Sequence, residues 1–120
     1  MNLQTEQLLR QLQAGIEEKK GRDVVIVDLS NIEDAVCQAF ILCTGNAPSH
    51  VQALTESVSE FARKNLNVRP AAVDGLRNAQ WVAMDYGTVI VHIFLPEARE
   101  FYDLEHLWAD AELTEIPNID

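Results

Sequence analysis

Bases, aromatics and cysteines are scarce in this 120-residue chain, and each shortage removes a class of function. Nine lysines and arginines face nineteen aspartates and glutamates, a formal net charge of −10. Such a surface repels a free phosphate backbone, so little direct nucleic-acid contact is expected. The two cysteines, Cys37 and Cys43, lie in a mostly apolar stretch with no secretion signal ahead of them. They read as small buried hydrophobes rather than as a disulfide. No apolar run reaches the ~20 residues that a membrane helix needs, and the N-terminus has no apolar signal core, so a cytoplasmic protein off the membrane is expected. The remainder is ordinary: 48% apolar and 23% charged residues, enough for one domain with a sizeable core.

The charge is unevenly placed. From Glu97 onward there are eight acids and one base, Arg99, so −7 of the −10 lies in the last fifth of the chain. This pattern suits a basic protein partner, and it also serves simple solubility. The aromatics concentrate late as well. Trp81, Tyr86, Phe94, Phe101, Tyr102 and Trp108 are six of the eight. Phe94 and Phe101 are expected in the core, Tyr86 at an exposed turn.

Periodicity places the elements. Leu8, Leu9, Leu12 and Ile16 align on one face of a helix over 2–20, with Gly21 as its stop. Val24 to Leu29 is a β-branched run short enough for a buried strand. Ser30 and Glu33 have the spacing of a capping box, which predicts a brief helical turn. Ala39 to Thr44 reads as a second buried strand. Val51, Leu54, Val58 and Phe61 then mark a helix ending near Asn65. A weak strand over 70–74 precedes a hairpin of 80–85 and 88–95, whose Asp85-Tyr86-Gly87 connection suits a glycine at positive φ. Short helical segments follow to Trp108. The order predicts an α/β fold, a mixed sheet of about five strands with flanking helices, over 1–111. Residues 112–120 read as a frayed acidic tail.

No catalytic constellation is legible. Ser49 and His50 are neighbours without an orienting carboxylate or an oxyanion hole. His50, His92 and His106 show no metal-ligand spacing. Asp23 and Asp28 lie five apart, an odd offset that puts them on opposite faces of a strand. Thr44-Gly45-Asn46 ahead of a helix offers backbone amides to an anion, though one glycine is little for a phosphate loop. No catalytic residue, metal or cofactor is expected.

Several of these pieces, in order, resemble the ribosomal silencing factor family, also called Iojap-related. They are Phe40-Ile41-Leu42-Cys43-Thr44-Gly45, His50-Val51, Asp74-Gly75, Trp81, Asp85, Gly87, Val89-Ile90-Val91-His92, Arg99, Tyr102-Asp103-Leu104-Glu105 and Leu107-Trp108. The resemblance spans about residues 3–109 and departs from the family pattern at Gln38 and Ser49. It implies a nucleotidyltransferase-like fold. It also implies binding to the large ribosomal subunit through a basic ribosomal protein of the intersubunit face, the fourteenth of its series, and so a block on subunit joining. Organellar relatives act in large-subunit assembly. A divergent nucleotidyltransferase is the further alternative, although the turn here is Gly45-Asn46 and no Asp-x-Asp pair follows it. The expected partner surface comprises Trp81, Asp85, Tyr86, Tyr102, Asp103, Leu104 and Glu105, with His92 bracing the sheet behind them. The amphipathic first helix and the late aromatics offer a self-complementary patch, so a homodimer is one state they allow.

Overall fold

Asn2 accepts a hydrogen bond from the Thr5 amide at 2.8 Å, and this cap starts the first helix, α1 (Leu3–Glu18). The helix ends on Lys20, at φ 57°, with the Gly21 amide donating to the Ile16 carbonyl. Lys20 therefore takes the left-handed position expected of Gly21. Gly21 is small for another reason: a Cβ there would lie 2.5 Å from Ile16 Cγ2.

The computed structural model describes residues 1–108 and 110–119. After α1 come β1 (Arg22–Asp28), β2 (Ala39–Thr44), α2 (Pro48–Leu66), β3 (Ala72–Asp74), β4 (Trp81–Asp85), β5 (Val89–Phe94), α3 (Pro96–Tyr102), a 3-10 turn (Leu104–His106) and β6 (Glu112–Ile116). The strands form one mixed sheet in the order β3-β4-β5-β2-β1-β6. Only β2 and β5 run parallel, and α2 lies in the chain between them. All six residues of β2 are buried, as the centre of a sheet covered on both faces requires.

Two of the sequence expectations change here. Ser30 caps no helix, because Asp28 Oδ1 accepts both its amide and its hydroxyl, and residues 30–38 run as turns and bends. The stretch from Glu112 is not frayed. It pairs antiparallel with β1, Val25 opposite Glu115 and Val27 opposite Leu113. The free edge of β1 supplies the backbone partners that its acidic side chains gave no sign of. Asp120, counted among the tail's acids, lies outside the described residues.

α1 and α2 pack together on one face of the sheet. Leu12, Ile16, Val51, Leu54 and Val58 from the helices meet Ile41, Val82, Met84, Val91 and Ile93 from the strands, all fully buried. The approach is close at Gly15, whose carbonyl accepts from Ser57 Oγ at 2.7 Å and whose missing Cβ would lie 2.8 Å from Val58 Cα. The apolar stripe of α1 is thus spent inside the fold and is not available as a dimer patch. The opposite sheet face has no long helix. Its core of Val25, Val27, Leu29, Phe40, Leu42 and Phe94 is covered only in part, by the 30–38 loop and the segment from α3 to Trp108.

Candidate functional site: the aromatic face beside α3

Strand register decides which side chains share the open face. Trp81 lies opposite Phe94, Ala83 opposite His92 and Asp85 opposite Ile90, so these six point the same way. Trp81 stacks on Phe94 at 5.2 Å between ring centroids, and the Tyr102 ring, tilted 44° to it, sits 4.6 Å from Trp81. Trp81 Nε1 donates to His92 Nδ1 at 3.0 Å. His92 therefore carries its proton on Nε2, an atom that is buried and has no partner among the described residues. Its ring also meets the Phe40 edge at 4.8 Å, and Phe40 in turn meets Trp108 at 6.3 Å. Burial pushes the His92 imidazole down to about 4, so it is neutral at physiological pH.

Trp81, His92, Tyr102 and Leu104 are thus brought together, with Phe40, Phe94 and Trp108 beneath or beside them. His92 is 6% exposed and braces Trp81 from below. Asp85 and Tyr86 lie at the far end of β4, about 13 Å away along the strand. Asp85 Oδ1 accepts from the Gly87 amide at 2.8 Å and so closes the turn. Tyr86 is not the exposed tip that its position suggested. It packs against the core on the α1–α2 face, its hydroxyl is buried, and burial raises its phenol to about 12. The turn is tight enough for this because Gly87 takes φ 85° and Tyr86 N donates to Val89 O.

The acids expected to meet a partner are already engaged within the chain. Glu105 pairs with Arg99 at 3.1 Å, with only 15% of its side chain exposed. Asp103, at φ 45°, pairs with the His106 ring, which holds that imidazole above its usual range. Three large apolar or aromatic side chains stand out to solvent beside the exposed Glu97 and Glu100. Phe101 is 80% exposed, Leu107 69% and Tyr102 47%. Phe101 was expected in the core, but it lies on α3, a seven-residue helix none of whose residues is buried. Gln80, Leu95, Glu97, Ala98, Phe101 and Tyr102 line a groove of about 320 Å³.

The other candidate chemistry is absent from the described residues or spent in structure. The Gly45 amide donates to Phe94 O and the Asn46 amide to His50 Nδ1 at 2.9 Å, so neither is left for an anion. His50 also bonds the Lys19 carbonyl through Nε2, joining the end of α1 to the start of α2. Sequence reading missed this role, since nothing in the pattern brings residues 31 positions apart together. The parity argument for Asp23 and Asp28 does not hold, because the β1–β2 register shifts between Arg22 and Val25. Among the described residues no group of three or more His, Cys, Asp or Glu side chains could hold a metal ion. No helix among them is long and apolar enough to cross a membrane.

These features define an α/β protein with a six-stranded mixed sheet, helices on one face and an aromatic surface on the other. The family model described as "ribosomal silencing factor during starvation" matches residues 2–120, and the chain belongs to that family. It is 32% identical over 109 residues to the ribosomal silencing factor of Bacillus subtilis, covering 91% of each. A crystal structure of a Chromobacterium violaceum protein, 29% identical, superposes with a TM-score of 0.82 over 98% of this chain and 95% of that one. The mouse protein named "mitochondrial assembly of ribosomal large subunit protein 1" is 26% identical over 108 residues, covering 84% of this chain and 46% of that protein.

Proposed function

We propose that this protein represses translation in the cytoplasm by binding the large ribosomal subunit and blocking its union with the small subunit. The fourteenth protein of the large subunit, on the intersubunit face, is the partner in this reading. Family membership across residues 2–120 carries the proposal. The exposed aromatic face supports it. Trp81, stacked on Phe94 and bonded to His92, forms with the adjoining Tyr102 ring an anchor of the kind that dominates interfaces. Asp85, Asp103, Leu104 and Glu105 lie on or beside this face. Asp85, with the exposed acids Glu97 and Glu100, draws a basic partner in over distance, whereas Asp103 and Glu105 are paired with His106 and Arg99 and act by holding the segment in place. An interface of ~1,200–2,000 Å² around the anchor is enough to cover a contact point between subunits.

The test is sucrose-gradient sedimentation of lysate containing a tagged copy. The protein should travel with free large subunits and be missing from whole ribosomes. Tyr102→Ala should weaken large-subunit binding by about tenfold or more, as loss of an aromatic anchor does. Binding unchanged by that substitution would remove the aromatic face from the reading.

A second reading is favoured by the name of the mouse relative: a factor in large-subunit assembly. Depletion then leaves immature large particles, whereas a pure silencer leaves mature ones.

A further inference from the structure

Arg99 is the only base between Glu97 and the C-terminus, and it is nearly buried, with 12% of its side chain exposed. Its guanidinium joins three separate pieces of the chain. Nη1 donates to the Asp23 carbonyl at the irregular start of β1 and to Thr44 Oγ1, 3.0 Å away, at the end of β2. Nη2 donates to Glu105 in the 3-10 turn at 3.1 Å. Asp23 is itself tied to the chain beyond β6, its amide donating to Asn118 Oδ1 at 2.7 Å. The segment that Arg99 holds has little else to hold it. α3 has seven residues and none is buried, nor is any residue of the 3-10 turn. Leu104 and Trp108 pack on the sheet only in part. Four acids, Glu97, Glu100, Asp103 and Glu105, crowd the same stretch, and the Arg99 guanidinium offsets part of their mutual repulsion.

We propose that Arg99 is a positioning residue for recognition: its three-way contact fixes the 102–108 segment in the arrangement that presents Tyr102 and Leu107 to the partner. The inference rests on the aromatic face being the ribosome-binding surface. A planar guanidinium with five donors can serve acceptors on both nitrogens at once, whereas a lysine ammonium keeps the charge and loses the fork.

Two variants test it. Arg99→Lys retains the charge. Arg99→Met combined with Glu105→Leu removes both buried charges together, so no unpaired ion is left to unfold the protein. Hydrogen exchange is followed at the amides of Asp103, His106 and Leu107, which close the turns of this segment, and at the β5 amides as an internal control. Affinity for purified large subunits is measured in parallel. In both variants the β5 amides should keep their protection, the segment amides should exchange at least tenfold faster, and binding should weaken by at least tenfold. Unchanged exchange in the segment overturns the inference. So does faster exchange with undiminished binding, which makes Arg99 structural only. If the unsubstituted protein fails to bind large subunits, the proposed function fails and takes the recognition role of Arg99 with it, whatever the exchange shows.

Discussion

His92 shows how a single residue's surroundings set its chemistry. Its Nδ1 is occupied by the Trp81 indole, its ring is enclosed by Phe40 and Phe94, and burial holds it neutral down to about pH 4. The unfolded chain takes up this proton near the ordinary value of 6.5, well before the folded one does. Folding stability is therefore at its full value above pH 6.5 and falls as pH drops from 6.5 toward 4. The loss from this one group is on the order of 3 kcal/mol, from about 1.4 kcal/mol per pH unit over the interval. Denaturation midpoints measured across that range should fall more steeply for the natural protein than for His92→Gln, and equal slopes would contradict the assignment. The sequence marked His92 as a polar ring among apolar neighbours that needed a partner. It did not reveal the partner, because Trp81 meets it only across the β4–β5 register. Phe101 was misjudged for a related reason: residue type suggested burial, but the direction of a side chain on a seven-residue helix is set by what α3 packs against.

Among the elements, the two turns that flank β4 each hold a glycine at positive φ, under opposite constraints. Gly75, at φ 93°, precedes β4 in a turn where a Cβ would lie 2.0 Å from the Trp81 carbonyl oxygen. Gly87, at φ 85°, faces open space. Gly87→Ala should cost only the conformational penalty of about 1–2 kcal/mol. Gly75→Ala adds a clash with backbone and should destabilise by more than about 3 kcal/mol, shifting Trp81 as well. Urea denaturation of the two variants checks the order, and equal midpoints would contradict it. Legibility of elements follows burial. The run over β2 and the helical stripes of α1 and α2 were readable because each hides a continuous apolar surface. β6 was not, because four of its five residues are exposed and an edge strand held by backbone bonds leaves no apolar alternation. The same limit applies to the 30–38 loop, where Asp28 outcompetes the cap that Ser30 seemed to offer.

For the whole molecule, the division of the sheet's two faces carries the functional account. One face is closed by α1 and α2, and the other keeps an aromatic surface beside a short helix held by one buried arginine. The acidity that stood out in the sequence has a different place in this picture. Glu105 and Asp103 are paired with Arg99 and His106 and Asp85 closes its own turn, while the proposed contact surface centres on Trp81, Tyr102, Phe101 and Leu107. Trp81 and Tyr102 were singled out in the sequence, whereas the exposure of Phe101 and Leu107 was not foreseen, and Asp85 and Tyr86 stand at the opposite end of β4 from Trp81. A protein that keeps the two ribosomal subunits apart, as proposed, must act in a reconstituted joining reaction. Purified large and small subunits, mixed at a magnesium concentration that favours whole ribosomes, are run on a sucrose gradient with and without the protein. The account predicts a smaller whole-ribosome peak, with the protein comigrating with free large subunits. An undiminished whole-ribosome peak, with the protein at the top of the gradient or within whole ribosomes, would contradict it.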